Sequence, residues 1–140
     1  PLVAKNRGIR IREIRGVEQE DFTSLLVITV KGDQGENSVY GTLFGKKEPR
    51  LIKINNIYLE ADLKGYMLLI YNQDKPGVIA SIGNVFFIRG INIGGMHFGR
   101  EEIGGMAISL LDLDKEVEDN VIREIQSLPN VVSAKRIILP

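Results

Sequence analysis

The feature that most constrains this chain is the way its hydrophobic period switches back and forth after Gly65. Tyr66 to Tyr71 is a continuous apolar run, the signature of a buried strand. Asp74-Lys75-Pro76-Gly77 is a turn. Val78, Ile79, Ile82, Val85 and Phe86 then recur at helical spacing up to Arg89-Gly90, and Gly90 suits the position just past a helix end. Ile91 to Phe98 reads as a strand, Gly99 to Gly105 as a turn and Met106 to Leu111 as another strand. Lys115 to Ser127 is helical, with Val117, Val121, Ile122 and Ile125 on one face, and Pro129-Asn130 stops it. Val131 to Leu139 closes the series. The order β-α-β-β-α-β admits few topologies, and the expected one is the split βαβ, ferredoxin-like order.

The first half has a different texture. Ile9 to Ile14 alternates apolar and polar residues, and Leu25 to Val30 is rich in β-branched residues. Gly32 to Asn37 is a turn cluster, and Ser38 to Phe44 and Leu51 to Ile54 read as further strands. Asn55-Asn56 between Ile54 and Ile57 is a hairpin signal, because asparagine tolerates positive φ. Tyr58 to Asp62 completes about five strands of a small mixed sheet, with a helix remnant at the start. The whole chain is therefore expected to be α+β, with a small mixed-sheet α/β domain over 1–64 and a ferredoxin-like domain over 65–140.

Composition removes several function classes. The 18 basic and 18 acidic side chains cancel, which argues against a strongly basic nucleic-acid binder. Residues 1–65 carry 11 basic and 9 acidic groups and residues 66–140 carry 7 and 9, so the asymmetry between halves is small. With no cysteine there is no disulfide, thiol nucleophile or thiolate metal ligand, which fits a reducing cytoplasm. The single histidine, His97, excludes a two-histidine metal site, and no metal site is expected. It has no obvious nucleophile partner, so it reads as a strand or interface residue and no catalytic residue is assigned. The longest apolar runs are about six residues, too short to span a bilayer, and no membrane partner is expected. Pro1-Leu2-Val3-Ala4-Lys5 reads like the tail of a helix cut from something longer.

The loop Asn72 to Gly77 is where chemistry is most plausible. Pro76 suits a first helical turn, and Gly77 leaves room for a ligand beside the backbone. Free amides after it, at the positive end of a helix, attract anions. Asp74 offers a carboxylate for an ammonium group. Donors beside a carboxylate suit a zwitterion such as a free amino acid, although a plain capped turn with Asp74 as N-cap uses the same residues. Asn92, at the start of the next strand, supplies both a donor and an acceptor.

Tyr66-Met67-Leu68-Leu69-Ile70, Asp74-Lys75-Pro76-Gly77 and Arg89-Gly90-Ile91-Asn92-Ile93 together resemble the ACT domain, a small-molecule regulatory module. Met96-His97-Phe98-Gly99-Arg100, Gly104-Gly105-Met106-Ala107 and Leu111-Asp112-Leu113-Asp114 are more specifically similar to the C-terminal end of the bacterial-type D-3-phosphoglycerate dehydrogenases. Pro1 to Ile9 and Gly41-Thr42-Leu43-Phe44-Gly45 resemble the intervening, allosteric substrate-binding domain of their long form. The resemblance implies a non-catalytic regulatory region of an NAD-dependent oxidoreductase of serine biosynthesis. No GxGxxG loop occurs here, so NAD is expected to belong to domains outside these residues. In serine-inhibited members, ACT domains pair between subunits and L-serine binds at the pairing. By motif position the effector contacts fall on Asn72, Asp74 and Asn92, with backbone amides at Gly77 and Val78. The family often has histidine where this chain has Asn72, which keeps hydrogen bonding and loses a charge. The resemblance also implies an anionic, phosphate-bearing ligand in the first domain, with Arg7, Lys46, Lys47, Arg50 and Lys53 as candidate contacts.

Two other classes deserve comparison. The regulatory region of an iron–sulfur L-serine dehydratase shares a similar domain pair. A β-α-β-β-α-β order also builds RNA-recognition modules, but these carry aromatics on the central strands, and Met106 to Leu111 has none. No nucleic-acid partner is expected. A homo-oligomer is expected, since a four-stranded sheet with an open edge invites pairing.

Overall fold

A computed structural model of the protein describes residues 24–139 apart from 34 and 46. The expected strand Ile9 to Ile14, the helix remnant before it, Arg7 and Lys46 lie outside the described residues.

The first unit is a meander. Strands β1 (Leu25–Gly32), β2 (Gly35–Phe44), β3 (Glu48–Ile54) and β4 (Ile57–Asp62) pair in chain order, each antiparallel to the next. The expectation of a mixed sheet is corrected: among the described residues it is antiparallel throughout, because short hairpins join every strand to its neighbour. The Asn55-Asn56 hairpin is present, with Ile54 opposite Ile57 and Asn55 at φ 52°. Asn55 is also stitched to β2, where its Oδ1 accepts the Ser38 N–H at 2.8 Å.

The second unit has the expected split βαβ order. Strands β5 (Tyr66–Gln73), β6 (Ile93–Arg100), β7 (Met106–Leu113) and β8 (Val131–Ile138) form an antiparallel sheet in the order β6-β7-β5-β8. Helices α1 (Val78–Ile88) and α2 (Asp119–Gln126) cover one face. Helix α1 ends where Gly90 takes φ 60°, with Gly90 N–H donating to Phe87 O and Ile91 N–H to Phe86 O. That is a Schellman closure, available because glycine pays no Cβ penalty in the left-handed region. Helix α2 begins later than its hydrophobic spacing suggests. Glu118 is extended at φ −70°, ψ 155°, and residues 115–118 are not helical. Val117 is nevertheless buried, and its carbonyl accepts a hydrogen bond from Arg136.

The strand alternation divides the apolar residues between two cores. Leu68, Ile70, Leu111 and Leu113 face the helices and pack with Val78, Ile82, Val85, Phe86, Val121 and Ile125. Met67, Ile108 and Leu110 point the other way and share a core with Leu51, Ile54, Ile57, Leu59 and Ala61 of the first unit. The meander thus covers the helix-free face of the second sheet. Each large side chain so buried contributes about 1.5–3 kcal/mol, which joins the two units into one sandwich.

Candidate effector site

The site forms where β5 runs into α1. Asn72, one residue before the end of β5, is buried, 3% exposed. Its Oδ1 accepts the Ser109 hydroxyl at 3.2 Å, and its Nδ2 donates to Gln73 O at 2.9 Å. Both ends of the amide are engaged, so Asn72 fixes the shape of the loop from beneath. Gly77, at φ 89°, is the residue before the helix and supplies no side-chain cap. Val78 follows, with its side chain in the core and its N–H only 3.4 Å from Lys75 O. The first-turn amides that follow have no intrahelical acceptors, as at any helix start.

Asp74 does not cap the helix. Its carboxylate Oδ2 accepts from Arg100 Nη1 at 2.7 Å and from the Gly104 N–H at 3.2 Å, while its own N–H donates to Gly105 O at 2.8 Å. One residue therefore fastens the β5–α1 loop to the β6–β7 turn. The hydrogen bond from the Arg100 guanidinium, followed by that from the Gly104 amide, holds the Asp74 carboxyl below the usual carboxylate range. Sequence reasoning places Arg100 in the turn Gly99 to Gly105 and misses this pairing. The available signal is register: Asn72 and Arg100 both stand opposite Ala107, from the two strands flanking β7.

Asn92 is not beside Asp74 within one chain. Ile93 and Tyr66 both pair with Leu113, at the end of the sheet opposite Arg100 and Asn72. Seven residues of strand separate the two ends, about 23 Å at 3.3 Å per residue. Asn92 is exposed and donates through Nδ2 to Asp114 Oδ2 at 2.9 Å. The strand that connects the two ends, β6, is one of the sheet's two edge strands, with β8 at the other edge, and it carries Met96 and Phe98 at 43% and 48% exposure. His97 lies on the opposite face, with Nε2 3.1 Å from Asp112 Oδ2, where it ties β6 to β7.

The cations proposed for an anion in the first unit have other company. Arg50 pairs with Asp62 and with Glu48 and stacks over Phe44. Lys53 Nζ lies between the Tyr40 and Tyr58 rings, 4.8 and 4.7 Å from their centroids. Lys47 is exposed in the β2–β3 turn.

A βαββαβ sheet with both helices on one face defines a class, the ferredoxin-like α+β domains. Residues 66–130 match the ACT domain model, and the second unit is an ACT domain. Residues 1–55 match the model described as the D-3-phosphoglycerate dehydrogenase intervening domain, so the chain joins that intervening domain to an ACT domain. It is 33% identical over 138 residues to the D-3-phosphoglycerate dehydrogenase of Bacillus subtilis, covering 99% of this chain and 26% of that protein. It is 35% identical over 134 residues to that of Archaeoglobus fulgidus, covering 94% and 25%. A probable L-serine dehydratase β chain of Bacillus subtilis is 27% identical over 138 residues, covering 93% of this chain and 63% of that protein. The chain spans about a quarter of the length of the dehydrogenase relatives it matches.

Proposed function

We propose that this chain is the effector-binding regulatory region of an NAD-dependent D-3-phosphoglycerate dehydrogenase of serine biosynthesis. On this reading it works in the cytoplasm and binds L-serine or a related small amino acid between two ACT domains paired along β6. The observation that carries the reading is the placement of Asp74 and Asn92 at opposite ends of one edge strand. Antiparallel pairing of β6 with its two-fold copy brings Asn92 of one subunit to the Asp74 end of the other. The site is then whole only in the dimer, with Asp74, the Gly77 and Val78 backbone and the partner's Asn92 around the ligand, and Asn72 as support beneath. The exposed Met96 and Phe98 on β6, an edge strand of the sheet, favour such pairing.

An effector bound there stabilises whichever arrangement of catalytic domains holds β6 paired, and it acts only through different affinities for the two states. The experiment is isothermal titration of the chain with L-serine, with glycine and D-serine as controls. Saturable, stereospecific binding lost in Asp74→Ala and Asn92→Ala is expected. A folded dimer that binds no amino acid overturns the reading.

A second reading, the regulatory region of an iron–sulfur L-serine dehydratase, has the dehydratase β chain match in its favour. The sequence encoded upstream separates the two, since a GxGxxG nucleotide loop marks the dehydrogenase and cluster cysteines the dehydratase.

A further inference from the structure

The Asp74–Arg100 pair has unused capacity on both partners. Both contacts to the Asp74 carboxylate fall on Oδ2, which leaves Oδ1 without a partner among the described residues. Arg100 uses Nη1, and its remaining guanidinium donors have no acceptor among the described residues; its side chain is 53% exposed and that of Asp74 31%. A free acceptor and free donors thus stand side by side on one ion pair. The Asp74 half is held twice over, by the Gly104 amide on its carboxylate and by its own N–H to Gly105 O. An α-amino acid carries the complementary arrangement, an ammonium and a carboxylate on one carbon.

We propose that the Asp74–Arg100 pair is the head-group receptor of this site, with Asp74 Oδ1 taking the α-ammonium and the free Arg100 donors taking the α-carboxylate. The proposal rests on the reading that a small amino acid binds here and narrows the ligand to a free α-amino acid, unmodified at both groups. It makes Arg100, rather than the helix start alone, the carboxylate contact. A guanidinium suits that role because its planar fork offers two parallel N–H donors to a carboxylate while a third stays on Asp74. A lysine has the charge without the fork.

The test is titration of the full 140-residue chain and its variants with three probes: L-serine, L-serinamide, which lacks the carboxylate, and glycerate, which lacks the ammonium. The wild-type chain is expected to bind L-serine at least about tenfold more tightly than either analogue. Arg100→Gln is expected to weaken L-serine by about 10- to 100-fold, the loss of a charge-assisted hydrogen bond, and to leave serinamide unchanged. Arg100→Lys should recover part of the loss. Arg100 is exposed on an edge strand, so an unchanged unfolding temperature will show that the variants fold. L-serine binding by Arg100→Gln within twofold of wild type overturns the assignment and leaves amino-acid binding standing. A wild-type chain that binds none of the common amino acids overturns both.

Discussion

The backbone of Gly99 on β6 lies directly against the carbonyl of Tyr58 on β4; a Cβ at residue 99 would overlap that oxygen and the Ile57 Cγ2 methyl. The two units therefore meet at a point where no side chain fits, and the obstructing atom is backbone, which cannot rotate away. Gly99→Ala is expected to cost about 1–3 kcal/mol, the usual range for overpacking. Urea unfolding measures it as a lower midpoint, and an unchanged midpoint would show that the contact is loose in solution.

The shared core makes a second demand. Leu59, from the meander, and Leu110, from the ACT sheet, are 6% and 0% exposed in one cluster. Leu59→Ala should cost about 2–5 kcal/mol through lost transfer energy and the cavity left behind. Because the cavity opens under β7, amide exchange along Met106–Leu113 should accelerate although the substitution lies in the other unit. Wild-type protection in β7 would mean that the two units open independently.

What the sequence made legible follows from local rules. Gly90, Asn55 and the helical spacing from Val78 to Phe86 each specify their own turn or face, and the structure has α1, its Schellman end and the hairpin at those residues. The start of α2 was not legible, because Val117 fits the apolar spacing while lying outside the helix, held by Arg136. Nor was the environment of the first-unit cations: Arg50 meets Asp62 across the sheet, a pairing set by strand register. Local spacing allows Asp74 as a helix cap beside its ligand role, and a contact 26 residues away takes its carboxylate off the helix. The separation of Asn92 from Asp74 is likewise a matter of strand order, which spacing along the chain does not encode.

The lowered Asp74 pKa predicts a pH response with a definite sign. A carboxyl whose pKa is depressed in the folded state contributes stability above its unfolded value, 3.8, and loses it as pH falls through the lower folded value. The fastening of the β5–α1 loop to Gly104 should therefore persist through neutral and mildly acidic solution and release only in strong acid. Carboxyl-carbon NMR titration of Asp74 checks this directly, and the resonance should shift upward in pKa in Arg100→Gln. An ordinary Asp74 titration, unmoved by that substitution, would contradict the pairing.

At the alkaline end Tyr71 carries a raised pKa. It lies on the helix-free face of β5, opposite Ile108 and packed against the core shared by the two units. Burial raises its phenol above the ordinary value of 10.0, because an anion there would lose its water. The unfolded chain then gives up that proton at a lower pH than the folded chain does. Below pH 10 both states keep it and the contribution is whole; as pH rises further the unfolded state binds fewer protons and stability falls. The chain has other tyrosines, so the difference between wild type and Tyr71→Phe isolates the effect. Urea midpoints compared at neutral and strongly alkaline pH should show a smaller alkaline loss in Tyr71→Phe than in wild type. Absorbance titration at the phenolate band should show one late-ionising tyrosine disappear in the variant. Equal alkaline losses would place Tyr71 in water, and the sandwich of the meander on the ACT sheet would then have to be open at that edge.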